Sequence, residues 1–266
     1  MTLLLWIIVF TLLGGVLSVL AAGLFLLLSE SLRNRLLPHA VSFAIGALLG
    51  AAFLAILPHA IEGAVENGND IHHVTLAVLL GVLGFFLLER MVLWRHCHAS
   101  QCEAHGLEHV HDHHHGHGQA SGVLIAIGDG IHNFVDGILI AAAFMTDVHL
   151  GVVTALAVAA HEIPQEVGDF AILLHSGFTR ARALLYNVLS SLTTVFGGVL
   201  AYYSLSDVQR VIPFVLAVAA SSFIYIAVAD LIPGLHRRLH LAATVQQVSL
   251  ITAGVLVIYL AHSTLH

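Results

Sequence analysis

Two short segments concentrate side chains able to bind a metal ion or move a proton. The first carries Asp129, His132, Asn133 and Asp136, and the second carries His161, Glu162, Gln165, Glu166 and Asp169. His132 and Asp136 stand four residues apart, as do His161 and Gln165, and Glu162 and Glu166, so on a helix each pair shares one face. Imidazole suits borderline transition metals and carboxylate oxygen suits harder cations, so a mixed set on two facing helices can chelate a divalent ion. Both segments lie within otherwise apolar sequence. At about 2.5–3.5 kcal/mol per charge buried in lipid, their carboxylates would together cost roughly 12–18 kcal/mol if left unpaired. No arginine lies inside either segment, so a bound cation or protons must neutralise them. Ionisable residues at such a depth mark a functional site by default.

Helices long enough to cross a bilayer must hold these residues. The chain has 266 residues, 58% apolar and only 9% charged, against about 25% charged in soluble domains. Its mean hydropathy is +0.93. It reads as an all-α integral membrane protein, because a hydrocarbon core about 30 Å thick needs about 20 apolar residues per helix. Stretches near 3–29, 40–63, 72–94, 121–146, 148–175, 180–204, 209–233 and 244–263 qualify. We therefore expect an eight-transmembrane-helix bundle with spans 4 and 5 central. Residues 1–266 form a single transmembrane domain in this reading. Spans 4 and 5 meet at a tight turn near Asp147, and residues equally far from that turn lie level in an antiparallel hairpin. That pairs His132 with His161, near mid-span, and Asp129 with Gln165 and Glu166 one turn inward. Asp136 falls one turn outward and Asp169 deeper towards the cytoplasm. Pro164 lies among these residues, where its missing N–H favours a kink, and broken helices are common at midplane sites of transporters.

Arginine gives the orientation, since short cytoplasmic loops collect it. Arg33, Arg35, Arg90, Arg95, Arg180, Arg182, Arg237 and Arg238 fall on one side of the expected topology and only Arg210 on the other. Both termini are therefore expected outside, with the connection at 95–120 in the cytoplasm. The membrane itself is expected to be the plasma (inner) membrane. That connection, from His96 to His117, carries nine histidines, Cys97, Cys102 and three carboxylates. It lacks the fixed spacing of a structural zinc module and reads as a weak, multi-site metal buffer. Lysine is absent, which excludes a P-loop nucleotide site and a lysine Schiff base, and no polybasic surface for nucleic acid exists.

The segments HNFVDG at 132–137 and HEIPQEVGDF at 161–170 closely resemble the fourth and fifth helices of the ZIP family of divalent-metal transporters, particularly its LIV-1 branch. LPHAIEG at 57–63, LLYNVLSS at 184–191 and FIYIAVADLIP at 223–233 are similar to that branch as well, which extends the likeness over nearly the whole chain. The resemblance implies import of zinc towards the cytoplasm, with cadmium, iron and manganese as further candidate substrates and no prosthetic group. It also implies a homodimer in the lipid bilayer. Its central metal site would fall on His132, Asn133, Asp136, His161, Glu162 and Gln165, with Glu166 and Asp169 in the same signature. Glutamate in place of the first histidine of the fifth-helix motif accompanies manganese and iron, so His161 points to zinc. Gln165 stands where histidine or glutamate is common, and span 6 offers Asn187, Ser190, Ser191 and Thr194 rather than a carboxylate.

Besides a metal sensor without flux, which candidate ligands on both sides of the midplane disfavour, two other functions compete. HEIPQ begins like the HExxH motif of zinc hydrolases, but its fifth residue is Gln165, so an intramembrane hydrolase lacks its second histidine ligand. Metal efflux is the other, since cation-diffusion exporters also combine helical His and Asp pairs with histidine-rich loops. Peripheral candidates are His59, Glu62, His72 and His73 near the outer ends of spans 2 and 3, His175 as an inward relay, and Asp230, expected buried in span 7. Gly46, Gly50, Gly81, Gly84, Gly197 and Gly198 are expected to let helices approach closely.

Overall fold

The computed structural model describes residues 2–96, 117–235 and 241–265. The core of the histidine-rich connection, with Cys97 and Cys102, and the Arg237–Arg238 pair lie outside the described residues. Every regular element among the described residues is helical: α1 (Leu3–Gly14), α2 (Val16–Leu26), α3 (Glu30–Gly50), α4 (Leu57–Glu66), α5 (Ile71–His96), α6 (His117–Thr146), α7 (Val148–His175), α8 (Arg180–Leu205), α9 (Ile212–Tyr225), α10 (Ile232–Leu235) and α11 (Leu241–Leu265). Seven of the resulting rods are long and apolar enough to cross a membrane. The rod outside that set, α7, carries His161, Glu162, Gln165, Glu166 and Asp169, which lower its hydropathy.

Three departures from the expected spans have local causes. Span 1 is two helices, because the chain breaks at Gly15, where a Cβ would stand 2.6 Å from the Ser191 carbonyl oxygen of α8. Span 2 begins at Glu30 rather than 40, with Pro38 inside the helix. Wide π turns at Ala51–Ile56 and Ile226–Leu231 interrupt the second and seventh rods. Each ends two residues before a proline, Pro58 or Pro233. A proline ring displaces the carbonyl four residues back, here Leu54 and Ala229, and both lie within the π turns that absorb the misfit. Pro164, by contrast, sits buried inside α7 without ending it.

The α6–α7 hairpin turns on a single residue. Asp147 has extended backbone and its Oδ1 accepts from the amides of His149 (2.8 Å) and Leu150 (3.1 Å), capping α7 as α6 ends. Helix α6 packs on α7 and, more extensively, on α8, where small residues remove the obstacle to contact. A Cβ on Gly137 would stand 1.9 Å from the Thr194 carbonyl oxygen, and one on Gly197 would stand 2.1 Å from that of Phe134. Helix α3 meets α11 in the same way at Gly46, and α5 meets α9 at Gly81. Gly84 differs from expectation, because it faces open space. The interior is rich in alanine, as at 141–143 and 217–220, while α5 turns Leu76, Leu79, Leu80, Leu83, Phe86 and Leu87 outward. An outer surface of leucine suits lipid, where apolar burial between helices has no solvent driving force and close packing must hold the bundle.

Candidate metal centre

Helix α6 supplies His132 and Asp136 one turn apart, and α7 supplies His161 and Glu162 in succession. One ligand atom from each of the four lies within 4.8 Å of the others. His132 Nε2 is 3.3 Å from Glu162 Oε1, 3.4 Å from His161 Nε2 and 3.8 Å from Asp136 Oδ2. His161 Nε2 is 3.3 Å from Asp136 Oδ2 and 3.6 Å from Glu162 Oε1. A tetrahedral zinc site with bonds near 2.1 Å places its ligand atoms about 3.4 Å apart, so these edges already match the cation's coordination polyhedron.

The charge balance points the same way. Asp136, His161 and Glu162 are at most 1% exposed, and His132 retains 23% side-chain exposure, which leaves one approach to the cluster. Both carboxylates of the cluster are buried without a hydrogen bond of good geometry, and no arginine lies among them. Unpaired buried carboxylates are costly, and a divalent ion supplies the missing charge. The protein also orients the ligands. His161 Nδ1 lies 3.1 Å from the Ala157 carbonyl oxygen, which can only accept. That contact puts the ring proton on Nδ1 and leaves Nε2 as the lone-pair nitrogen facing the cluster, the usual outer-shell arrangement of a metal-binding histidine. Phe223 of α9 meets the same ring edge to face at a centroid distance of 6.0 Å.

The other sequence candidates sit around this cluster rather than in it. Asn133 is buried between α6 and α8: its Nδ2 donates to Asp129 Oδ1 (3.0 Å) and its Oδ1 accepts from Thr194 Oγ1 (2.7 Å). Gln165 Nε2 reaches Asp129 Oδ1 at 3.5 Å. Glu166 is fully buried, its carboxylate accepting no hydrogen bond, while its backbone carbonyl accepts from Asn187 Nδ2 (3.2 Å). Asp169 is half-buried further along α7. The supporting role of α8 was not assigned from sequence. Thr194 holds Asn133, and Thr193 Oγ1 donates to the Gly130 carbonyl (2.6 Å), which ties the ligand-bearing helix to its neighbour. Hydroxyls and an amide in an apolar span were the available signal.

Among the peripheral candidates, His59 meets His262 of α11. His175 is exposed, with Nδ1 2.9 Å from the Ala171 carbonyl. Asp230, expected buried, is solvent-accessible within this chain, at the π turn of the seventh rod.

Comparison with known proteins agrees with this geometry. The family model described as ZIP Zinc transporter matches residues 1–262. Zinc transporter ZIP13 of Pongo abelii is 32% identical over 234 residues, covering 84% of this chain and 66% of the relative. Zinc transporter ZIP4 of Rattus norvegicus is 44% identical over 112 residues, 42% of this chain and 17% of its own length. Zinc transporter ZIP10 of Homo sapiens is 36% identical over 141 residues, 53% of this chain and 17% of its own length. The chain thus spans just under two thirds of the first of these relatives and a small part of the others. A buried imidazole–carboxylate cluster on two packed helices, and a family match over almost the entire sequence, establish that this chain belongs to the ZIP family of zinc transporters.

Proposed function

We propose that the chain carries zinc across the membrane into the cytoplasm, with His132, Asp136, His161 and Glu162 as the principal binding site. The carrying observation is the set of 3.3–3.8 Å edges between ligand atoms on α6 and α7. A hydrated ion entering past partly exposed His132 exchanges waters for imidazole and carboxylate at the cluster. It then moves inward past Asn133, Gln165, Glu166 and Asp129 to Asp169, polar residues that continue along the same two helices. Neutral amides at Asn133 and Gln165 keep this stretch from holding the ion too tightly to release it.

Helix α7 is the eighth membrane span in this reading. Its 28 residues extend about 42 Å, longer than the hydrocarbon core, and its buried face packs on α6 and on α1 to α3. The arginine distribution supports termini outside and a cytoplasmic histidine-rich connection, and import into the cytoplasm fits a plasma (inner) membrane location. The family supports a homodimer. Imidazole at His161 favours zinc and admits cadmium, with iron and manganese as weaker substrates. The hydrolase reading has little support here, since Gln165 points its amide at Asp129 and Glu162 belongs to the ligand cluster. Efflux differs from import only in direction.

The test is radioactive zinc uptake into proteoliposomes of defined protein orientation. Wild-type protein fills vesicles from its outer face, and Asp136→Ala inserts normally but does not. Uptake by Asp136→Ala at the wild-type rate refutes the site, and flux only in the outward direction refutes import.

A further inference from the structure

We infer that His59 of α4 and His262 of α11 form a second, peripheral zinc site at the end of the bundle that holds the Asp147 turn. The two rings meet at a centroid distance of 5.5 Å and an interplanar angle of 71°. The central pair, His132 and His161, meets at 5.6 Å and 73°, with its Nε2 atoms 3.4 Å apart. The peripheral rings, from two different helices, thus repeat the centroid distance and tilt of the central pair.

The second observation concerns the proton. His59 Nδ1 lies 2.8 Å from the carbonyl oxygen of Ala55, one turn back on the same rod. A carbonyl can only accept, so Nδ1 carries the hydrogen and Nε2 is the nitrogen with the lone pair. His161 is oriented in the same way by Ala157. A hydrogen bond that fixes the tautomer and ring orientation is the outer-shell device by which proteins prepare a histidine for a metal. Both rings are half-buried, so water can complete the coordination. Two imidazoles with open positions suit zinc or another borderline divalent ion and do not suit magnesium or calcium. No carboxylate joins the pair closely enough to make a three-ligand cluster among the described residues. The site is therefore weaker than the central one and able to hand its ion on.

Its position gives it a use. His262 lies three residues and His59 seven residues from the ends of their rods, at the same end of the bundle as the α6–α7 turn, while His132 and His161 lie fifteen and fourteen residues from Asp147. An ion held there stands near the entrance used under the import reading. That functional consequence rests on the proposed transport, whereas zinc binding at the pair does not.

Two measurements test the inference. Crystals of the full-length protein equilibrated with zinc and measured on both sides of the zinc absorption edge should show an anomalous peak between the two rings. That peak should disappear in His59→Gln, while the peak at the central cluster remains. In proteoliposomes, His59→Gln and His262→Gln should each raise the half-saturating zinc concentration about tenfold, the lower end of the gain from concentrating an ion at an entrance. Their maximal rates should stay unchanged, and the double variant should be no worse than either single one. No peak between the rings overturns the site, whatever the transport assay gives. A peak together with unchanged half-saturation in both single variants overturns its role in entry, and a fall in maximal rate with unchanged half-saturation marks the residues as structural. Absence of uptake by the wild-type protein would count against the transport reading alone, leaving the diffraction result to decide the site.

Discussion

Replacing Gly137 with alanine should weaken zinc binding without altering any ligand. Gly137 follows Asp136 directly, and its Cβ would stand 1.9 Å from the Thr194 carbonyl oxygen and 2.9 Å from the Gly198 amide nitrogen. Backbone atoms cannot rotate away, so α6 and α8 must separate by about 1 Å to restore an ordinary contact near 3 Å. Metal–ligand distances tolerate about 0.2 Å, so a shift of that size carries Asp136 well outside bonding range of an ion held by α7. If α8 yields instead, the 2.7 Å Thr194–Asn133 hydrogen bond is lost, and Asn133 loosens its hold on Asp129. Overpacking of this kind costs about 1–3 kcal/mol. Gly130, two turns away on the same helix, provides the control, since its Cβ would meet nothing nearer than 3.8 Å. Gly130→Ala should retain wild-type zinc uptake and gain up to about 1 kcal/mol from helix propensity. The assay is zinc-dependent thermal unfolding of both detergent-purified variants, followed by uptake in proteoliposomes. Gly137→Ala should fold with a lowered Tm and lose most of the zinc-induced rise that wild-type protein shows. A full zinc-induced rise in Gly137→Ala would refute the link between α6–α8 spacing and the site.

Three further outcomes separate binding from packing. Thr194→Val leaves the buried Asn133 Oδ1 without its donor and should lower stability by about 1–3 kcal/mol, and Thr194→Ser should restore it; thermal unfolding of the pair checks this. Gly254→Ala would drive a Cβ to 2.3 Å from the Phe43 carbonyl oxygen between α3 and α11. It should lower Tm by a similar cause, yet leave the half-saturating zinc concentration of the surviving protein unchanged. His161→Glu replaces an imidazole with a harder oxygen ligand, so competition uptake should shift from zinc towards manganese; an unchanged preference would show that His161 does not set selectivity.

The level at which the candidate ligands meet was legible in the sequence. The turn at Asp147 fixed the register of the hairpin, and level pairing placed His132 beside His161, whose Nε2 atoms lie 3.4 Å apart, and Asp129 beside Gln165, whose polar atoms lie 3.5 Å apart. Spacing alone was less informative about neighbours in sequence. Successive residues on a helix diverge by about 100°, so Asn133 turns towards α8 although it adjoins His132, and takes its place in a hydrogen-bonded network instead of the four-ligand cluster. On α7, His161 and Glu162 straddle the face turned to α6, and both reach the cluster. The break at Gly15 and the π turns had no periodic signature, because they answer to a close approach by α8 and to prolines two residues beyond each turn. Asp230 shows the limit of hydropathy as a guide to burial: a carboxylate within an apolar span can still be solvent-accessible.

The central claim is that zinc binds where α6 and α7 bring two imidazoles and two carboxylates together. Anomalous diffraction at the zinc edge, from crystals of the full-length protein, tests it most directly. The account predicts a strong peak within about 2.0–2.2 Å of His132 Nε2, His161 Nε2 and oxygens of Asp136 and Glu162, absent in Asp136→Ala. A zinc-loaded crystal with no peak among these four residues, or a peak unchanged in Asp136→Ala, would contradict it.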